Sequence, residues 1–232
     1  MGRAAWRVLV VGGLGYGLWR RRLGRLDRMP EDFGAYWIRR ARRSGDVRYV
    51  ALGDSLAQGL SARRPERGFV GLLADQLAAS GELSVAVLNW SVTGATVGDV
   101  LADQLPRLRS LAGAAPDLVT VCVGTNDVAR TDPERFEAQF RALCAGLPAG
   151  ALVADLPDFR RGPRRAAAAE YGRICRAVLA EFPALVPVGI EHATRTMRRT
   201  ELGVDLVHPG DRGHRRYASA FSAALAGSSA AP

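Results

Sequence analysis

From residue 46 onward the chain alternates short, nearly unbroken apolar runs with longer stretches whose apolar residues recur at helical spacing. The runs 47–52, 83–88, 118–123, 151–154 and 185–188 read as buried strands, 118–123 being the most β-like of them. Between them lie helical patterns. Residues 68–79 carry Phe69, Leu72, Leu73 and Leu77 at helical spacing, and 97–111 follow Thr96, a side-chain cap. Asp132-Pro133 opens a helix to about residue 147, with cap and first-turn proline in the favoured places. The Ala- and Arg-rich stretch 163–181 and the closing stretch 209–225 complete the set, and 227–232 read as a tail. Strands separated by helices imply a parallel sheet covered on both faces. In such sheets ligands bind beyond the carboxyl ends of the strands. Residues that directly follow a strand are therefore where chemistry is expected.

At 232 residues and 48% hydrophobic, the chain fits one large domain with a proper core. Its three cysteines, Cys122, Cys144 and Cys175, are sparse, odd in number and far apart. They fit buried thiols and argue against a disulfide framework or a Cys-x-x-Cys metal spacing. The net charge of +9 changes meaning once mapped. All 32 basic residues are arginine, and 12 of them fall in 1–48 against four acidic residues; the remainder carries 20 arginines against 19 acidic residues. The basic character belongs to the N-terminal segment, so nucleic-acid binding by the main domain is not expected.

That segment, 1–28, is apolar from Ala4 to Trp19 apart from Arg7, and is followed by Arg20, Arg21, Arg22, Arg25 and Arg28. The charges follow the apolar run and no small-residue cleavage site is evident, which is unlike an export signal. A full membrane span takes about 20 residues, so the expectation is a short membrane anchor or interfacial helix. The positive-inside rule then places the arginines and the domain on the cytoplasmic side of a membrane, a plain cytoplasmic location being the other reading. An extra helix packed on the domain is the simpler alternative. The glycines Gly12, Gly13, Gly15 and Gly17 are out of register for a dinucleotide-binding turn. Residues 29–46, with Phe33, Tyr36 and Trp37, read as a short connecting helix.

Ser55 follows the first predicted strand, Gly94 the second and Asn126 the third. A hydroxyl at Ser55 is a nucleophile at the sheet edge or a helix-capping serine. Gly94 lets a backbone N–H approach a ligand, or simply makes a turn. Asn126 offers an amide donor, or is itself a turn former. His208 precedes the last helix, with Asp205 three residues earlier and within reach of its ring, so a carboxylate is placed to fix the imidazole tautomer. No such role is assigned to His192 or His214. Three histidines without clustered Cys or carboxylates do not make the ligand set of a catalytic zinc site, and no metal is expected.

At these residues the chain resembles the GDSL esterases and lipases, also called SGNH hydrolases. The likeness rests on Gly53-Asp54-Ser55-Leu56, on Asn89 through Gly94-Ala95-Thr96, on Gly124-Thr125-Asn126-Asp127 and on Asp205-Leu206-Val207-His208-Pro209. These blocks stand in the family's order and span roughly 47–225. The resemblance implies a flavodoxin-like three-layer α/β/α sandwich with a central parallel sheet of about five strands, occupying 47–226. It implies Ser55 as nucleophile, His208 as general base and acid, Asp205 as its orienter, and an oxyanion hole from the Ser55 and Gly94 N–H groups and the Asn126 side chain. Asp54 and Asp127 are expected to line the site, and no cofactor is needed. The family often has glycine between the last Asp and His, where this chain has Leu206-Val207.

The implied activity is hydrolysis of a small-molecule or lipid ester. A transacylase, thioesterase or carbohydrate deacetylase would use the same groups. A membrane-tethered binding protein on an inactive hydrolase scaffold is the alternative of another class.

Overall fold

The computed structural model describes residues 28–111, 115–159 and 164–228. Five strands, β1 (Val47–Gly53), β2 (Val85–Asn89), β3 (Leu118–Cys122), β4 (Leu152–Ala154) and β5 (Val186–Val188), form one all-parallel sheet in the order β2-β1-β3-β4-β5. This is the flavodoxin-like order, which reverses direction at β1 and β3 and opens a crevice there. Val50 lies opposite Leu88 on one side and Val119 on the other, so the first three strands end nearly level. The loops that follow them therefore meet.

Alternate side chains of each strand serve opposite layers. Val50, Leu52, Val119, Val121 and Val153 pack with α4 (Val97–Asp99), α5 (Leu105–Arg109), α6 (Pro133–Gly146) and α7 (Arg165–Ala180). Tyr49, Ala51, Leu118, Cys122 and Ala154 pack with α3 (Phe69–Gly81) and α9 (Asp211–Ser228), where Phe69 stacks on Phe221 with ring centroids 4.8 Å apart. A strand buried on both faces has no solvent face to fill with polar residues, which is why these runs lack regular alternation in sequence. Cys122, Cys144 and Cys175 are all buried free thiols.

Several details were not readable from periodicity. α4 passes into α5 through a π-helical segment, Val100–Gln104. β2 begins at Val85, because Ser84 is held in a hydrogen-bond pair with Asp46 across the strand start. Two short helices, α2 (Ser55–Gln58) and α8 (Ile190–Thr194), are too brief to show a period. α9 runs to Ser228, past residue 225, and takes in the first two residues of the predicted tail.

The connecting segment contains a helix, α1 (28–40). It packs Met29 and Phe33 on Leu60, and Trp37 enters the core. The Trp37 indole N–H donates to the Gln58 carbonyl at 2.9 Å, and the Gln58 side chain donates to the Pro30 carbonyl at 3.0 Å. α1 is thereby fastened to α2. The anchor expected in 1–28 lies outside the described residues but for Arg28; among those described, no helix is long and apolar enough to cross a membrane.

Candidate active site

β1 ends at Gly53 in a conformation only glycine holds: φ is +143°, and a Cβ there would lie 2.0 Å from the Cys122 carbonyl oxygen. The Gln104 side chain clamps this residue, accepting from the Gly53 N–H at 2.8 Å and donating to its carbonyl at 2.9 Å. Gln104 stands in the π turn, which changes the face its side chain presents. Sequence reasoning missed it, because a π turn has no signature in hydrophobic spacing. The chain then turns into α2, capped by Asp54, whose Oδ1 accepts from the Leu56 N–H at 2.9 Å.

Ser55 is the first residue of α2 and only 4% exposed. Its Oγ lies 2.9 Å from His208 Nε2, and His208 Nδ1 lies 2.7 Å from Asp205 Oδ2. Residues 153 positions apart are thus joined in one hydrogen-bonded chain. Partial burial pushes the Asp205 carboxyl up. Donation from the His208 ring and from the Val207 and His208 N–H groups, with the ring's charge, outweighs it and holds the group at about 2. An ionised Asp205 must accept the Nδ1 proton, so Nε2 presents its lone pair to Ser55 and the hydroxyl donates.

The His208 loop is pinned at its base. The Gly203 N–H donates to the His208 carbonyl at 2.7 Å, and Leu202 bridges Pro209. Ser61, just after α2, donates from Oγ to Asp205 Oδ2 at 3.2 Å. Neither Ser61 nor its contact was read from the sequence, since nothing local marks a serine 144 positions from its partner. Ser61 and Leu206 both hold left-handed backbones, at φ +67° and +57°. Such a conformation costs a non-glycine residue about 1–2 kcal/mol. The sequence departure at Leu206 is therefore a strained position, at the place where a glycine would be relaxed.

Gly94, at φ +86°, and Ser55 each present a backbone N–H that has no acceptor among the described residues. Asn126 donates its side-chain amide to the Ala95 carbonyl at 2.9 Å, and its 3.5 Å contact to Asp54 is too long to hold the second hydrogen. The structure thus gathers Ser55, Gly94, Asn126, Asp205 and His208 at the carboxyl edge of β1, β2 and β3.

Asp54 and Asp127, expected to line the site, are instead completely buried beneath it. Asp54 Oδ2 accepts from the Thr125 hydroxyl at 2.8 Å, tying the β1 and β3 loops together. Burial pushes its carboxyl up to about 6, against the Leu56 N–H and the Thr125 hydroxyl, which lower it. Asp127 accepts from the Val97 N–H at 3.1 Å and the Thr131 hydroxyl at 3.1 Å, and burial likewise raises its carboxyl. Both are braces.

His214 is fully buried in α9 and faces the Leu60 carbonyl from Nε2 at 3.1 Å. Burial drives its imidazole down to about 4, so it stays neutral near pH 7. Its Nδ1 has no hydrogen-bond partner among the described residues. His192 helps line a cavity of about 820 Å³ between α8 and α9, with Arg212, Arg215 and Arg216. None of Ser55, Asp205 and His208 borders that cavity, so the site chemistry and this cavity do not coincide. Among the described residues no group of three or more His, Cys, Asp or Glu side chains could hold a metal ion.

A hydroxyl, an imidazole and a carboxylate thus stand in line at the carboxyl edge of a five-stranded parallel sheet. The chain belongs to the GDSL-like lipase/acylhydrolase family, whose model matches residues 51–216, and is with it a hydrolase acting on esters. Among solved structures it is similar to LAE5, an α/β hydrolase enzyme from the metagenome of Lake Arreo, Spain, at 24% identity and TM-score 0.65, covering 79% of this chain and 97% of that one. It is similar to a variant of Axe2, an acetyl xylan esterase from Geobacillus stearothermophilus, at 24% identity and TM-score 0.64, covering 78% and 95%. TesA matches at 26% identity and TM-score 0.62, covering 77% and 97%. No curated protein sequence matches the chain.

Proposed function

We propose that the chain cleaves carboxylic esters through a covalent acyl-enzyme on Ser55. The observation that carries this reading is the unbroken line Ser55 Oγ, His208 Nε2, His208 Nδ1, Asp205 Oδ2, with links of 2.9 and 2.7 Å. Ser55 attacks the ester carbonyl as its proton passes to Nε2. The negative charge that develops on the carbonyl oxygen is met by the unpartnered N–H groups of Ser55 and Gly94 and by the Asn126 amide. Asp205 stabilises the imidazolium, which then protonates the departing alcohol. Water, activated by His208, releases the acid by the same route.

The acceptor is proposed to be water, with acyl transfer to another alcohol, thioester cleavage and carbohydrate deacetylation as variants of the same chemistry. The proposed setting, drawn from the apolar and Arg-rich sequence 1–28, is a membrane surface on the cytoplasmic side. A fluorophosphonate probe should label the purified chain, and Ser55→Ala should lose both the label and all hydrolysis of p-nitrophenyl esters. Equal labelling of Ser55→Ala would remove Ser55 from its role.

A further inference from the structure

The large hydrophobic side chains exposed among the described residues are Ile38, Leu83, Val92, Val204, Leu206 and Val207. Three of the six fall within four consecutive positions and interleave with Asp205, directly before His208. Leu206 is 49% exposed and Val207 71% exposed. Leu206 also occupies its place against a strained backbone, at φ +57°. About half of its surface stays in water, so burial within the protein offsets only part of that strain. Strain held at a reactive centre points to a contact made outside the resting fold.

The direction of the proton decides what that contact is. The departing oxygen takes its proton from His208 Nε2, so the alcohol portion of the ester lies on the His208 side of Ser55. The loop on that side is the one carrying Val204, Leu206 and Val207. We propose that this apolar loop holds the hydrocarbon of the ester's alcohol portion and selects esters of apolar alcohols. This inference rests on Ser55 cleaving esters as set out above.

The test uses the full chain and three soluble esters: ethyl acetate, hexyl acetate and ethyl hexanoate. The parent should show kcat/KM for hexyl acetate about tenfold above ethyl acetate, the range of discrimination that a few methylenes in an apolar contact supply. Leu206→Asn, which keeps the left-handed backbone but removes the apolar branch, should bring that ratio close to one. The ratio of ethyl hexanoate to ethyl acetate should move less than twofold. Leu206→Gly should lose the same preference while its thermal midpoint stays at or above the parent's, which separates selectivity from folding. With Ser55-dependent activity present, a parent ratio near one, a hexyl preference untouched by both variants, or a change confined to the acyl series would overturn the inference alone. No Ser55-dependent hydrolysis of any of the three would overturn it together with the function on which it rests.

Discussion

The two halves of the site are built by opposite means. The Asp54-Ser55 turn is core: Asp54 has no solvent exposure, Gly53 is locked between Gln104 and the Cys122 carbonyl, and the hydroxyl sits where β1 leaves it. The Asp205–His208 loop stands partly in water, with exposed apolar side chains and a strained Leu206. Each half contains an aspartate, and they titrate in opposite directions from one ordinary value. Burial wins at Asp54, which rises to about 6; converging donors win at Asp205, which falls to about 2. The comparison teaches that packing holds Ser55, whereas a charge and its hydrogen bonds hold His208.

The largest break in that comparison is Asp205→Asn. An amide cannot favour the Nδ1-protonated tautomer, so kcat should fall on the order of 10³- to 10⁴-fold with the fold intact, measured on a p-nitrophenyl ester beside the far-ultraviolet circular dichroism spectrum. A fall of less than tenfold would mean that packing, not charge, orients His208.

Asp54→Asn addresses the other half through stability. A carboxyl raised from 3.8 to about 6 on folding contributes stability that is fully present below pH 3.8 and is lost as pH rises through 6. Roughly 3 kcal/mol is at stake over two pH units. The gap in unfolding free energy between parent and Asp54→Asn, measured in urea, should narrow or reverse by that order between pH 4 and 7. Asp205 has the opposite sign: its contribution is present above pH 3.8 and is lost as pH falls through about 2. Asp205→Asn should therefore flatten only the acid end of the stability curve.

The smallest effect sharpens the role of Ser61. Ser61→Gly removes one donor from Asp205 and relaxes the backbone at φ +67°. It should lower kcat several-fold while leaving the thermal midpoint equal or higher. A drop in both together would make Ser61 a packing residue.

The elements that carry the site were legible because buried strands announce themselves. The runs at 47–52 and 118–123 are apolar but for Arg48 and Thr120, and Ser55 and Asn126 each follow three residues after them. Thr96 and Asp132 were readable as caps for a local reason, and both accept from a backbone N–H three residues on. Ser61, Gln104 and the bracing role of Asp54 were not readable. Each depends on a partner that folding brings from far along the chain, and a serine, glutamine or aspartate in a loop looks the same with or without it.

By itself the sequence determined the order of strands and helices, the confinement of basic charge to the N-terminal segment, and the residue types able to cleave an ester. Those are properties of short windows and of composition, where hydrophobic period and local capping act without knowledge of distant neighbours. Only the tertiary structure decided that Ser55 and His208 touch, that Asp54 lies beneath the site while Asp205 stays ionised beside it, and that Leu206 stands exposed under strain. Burial and hydrogen bonding between remote segments set those outcomes, and neither exists until the sheet has formed.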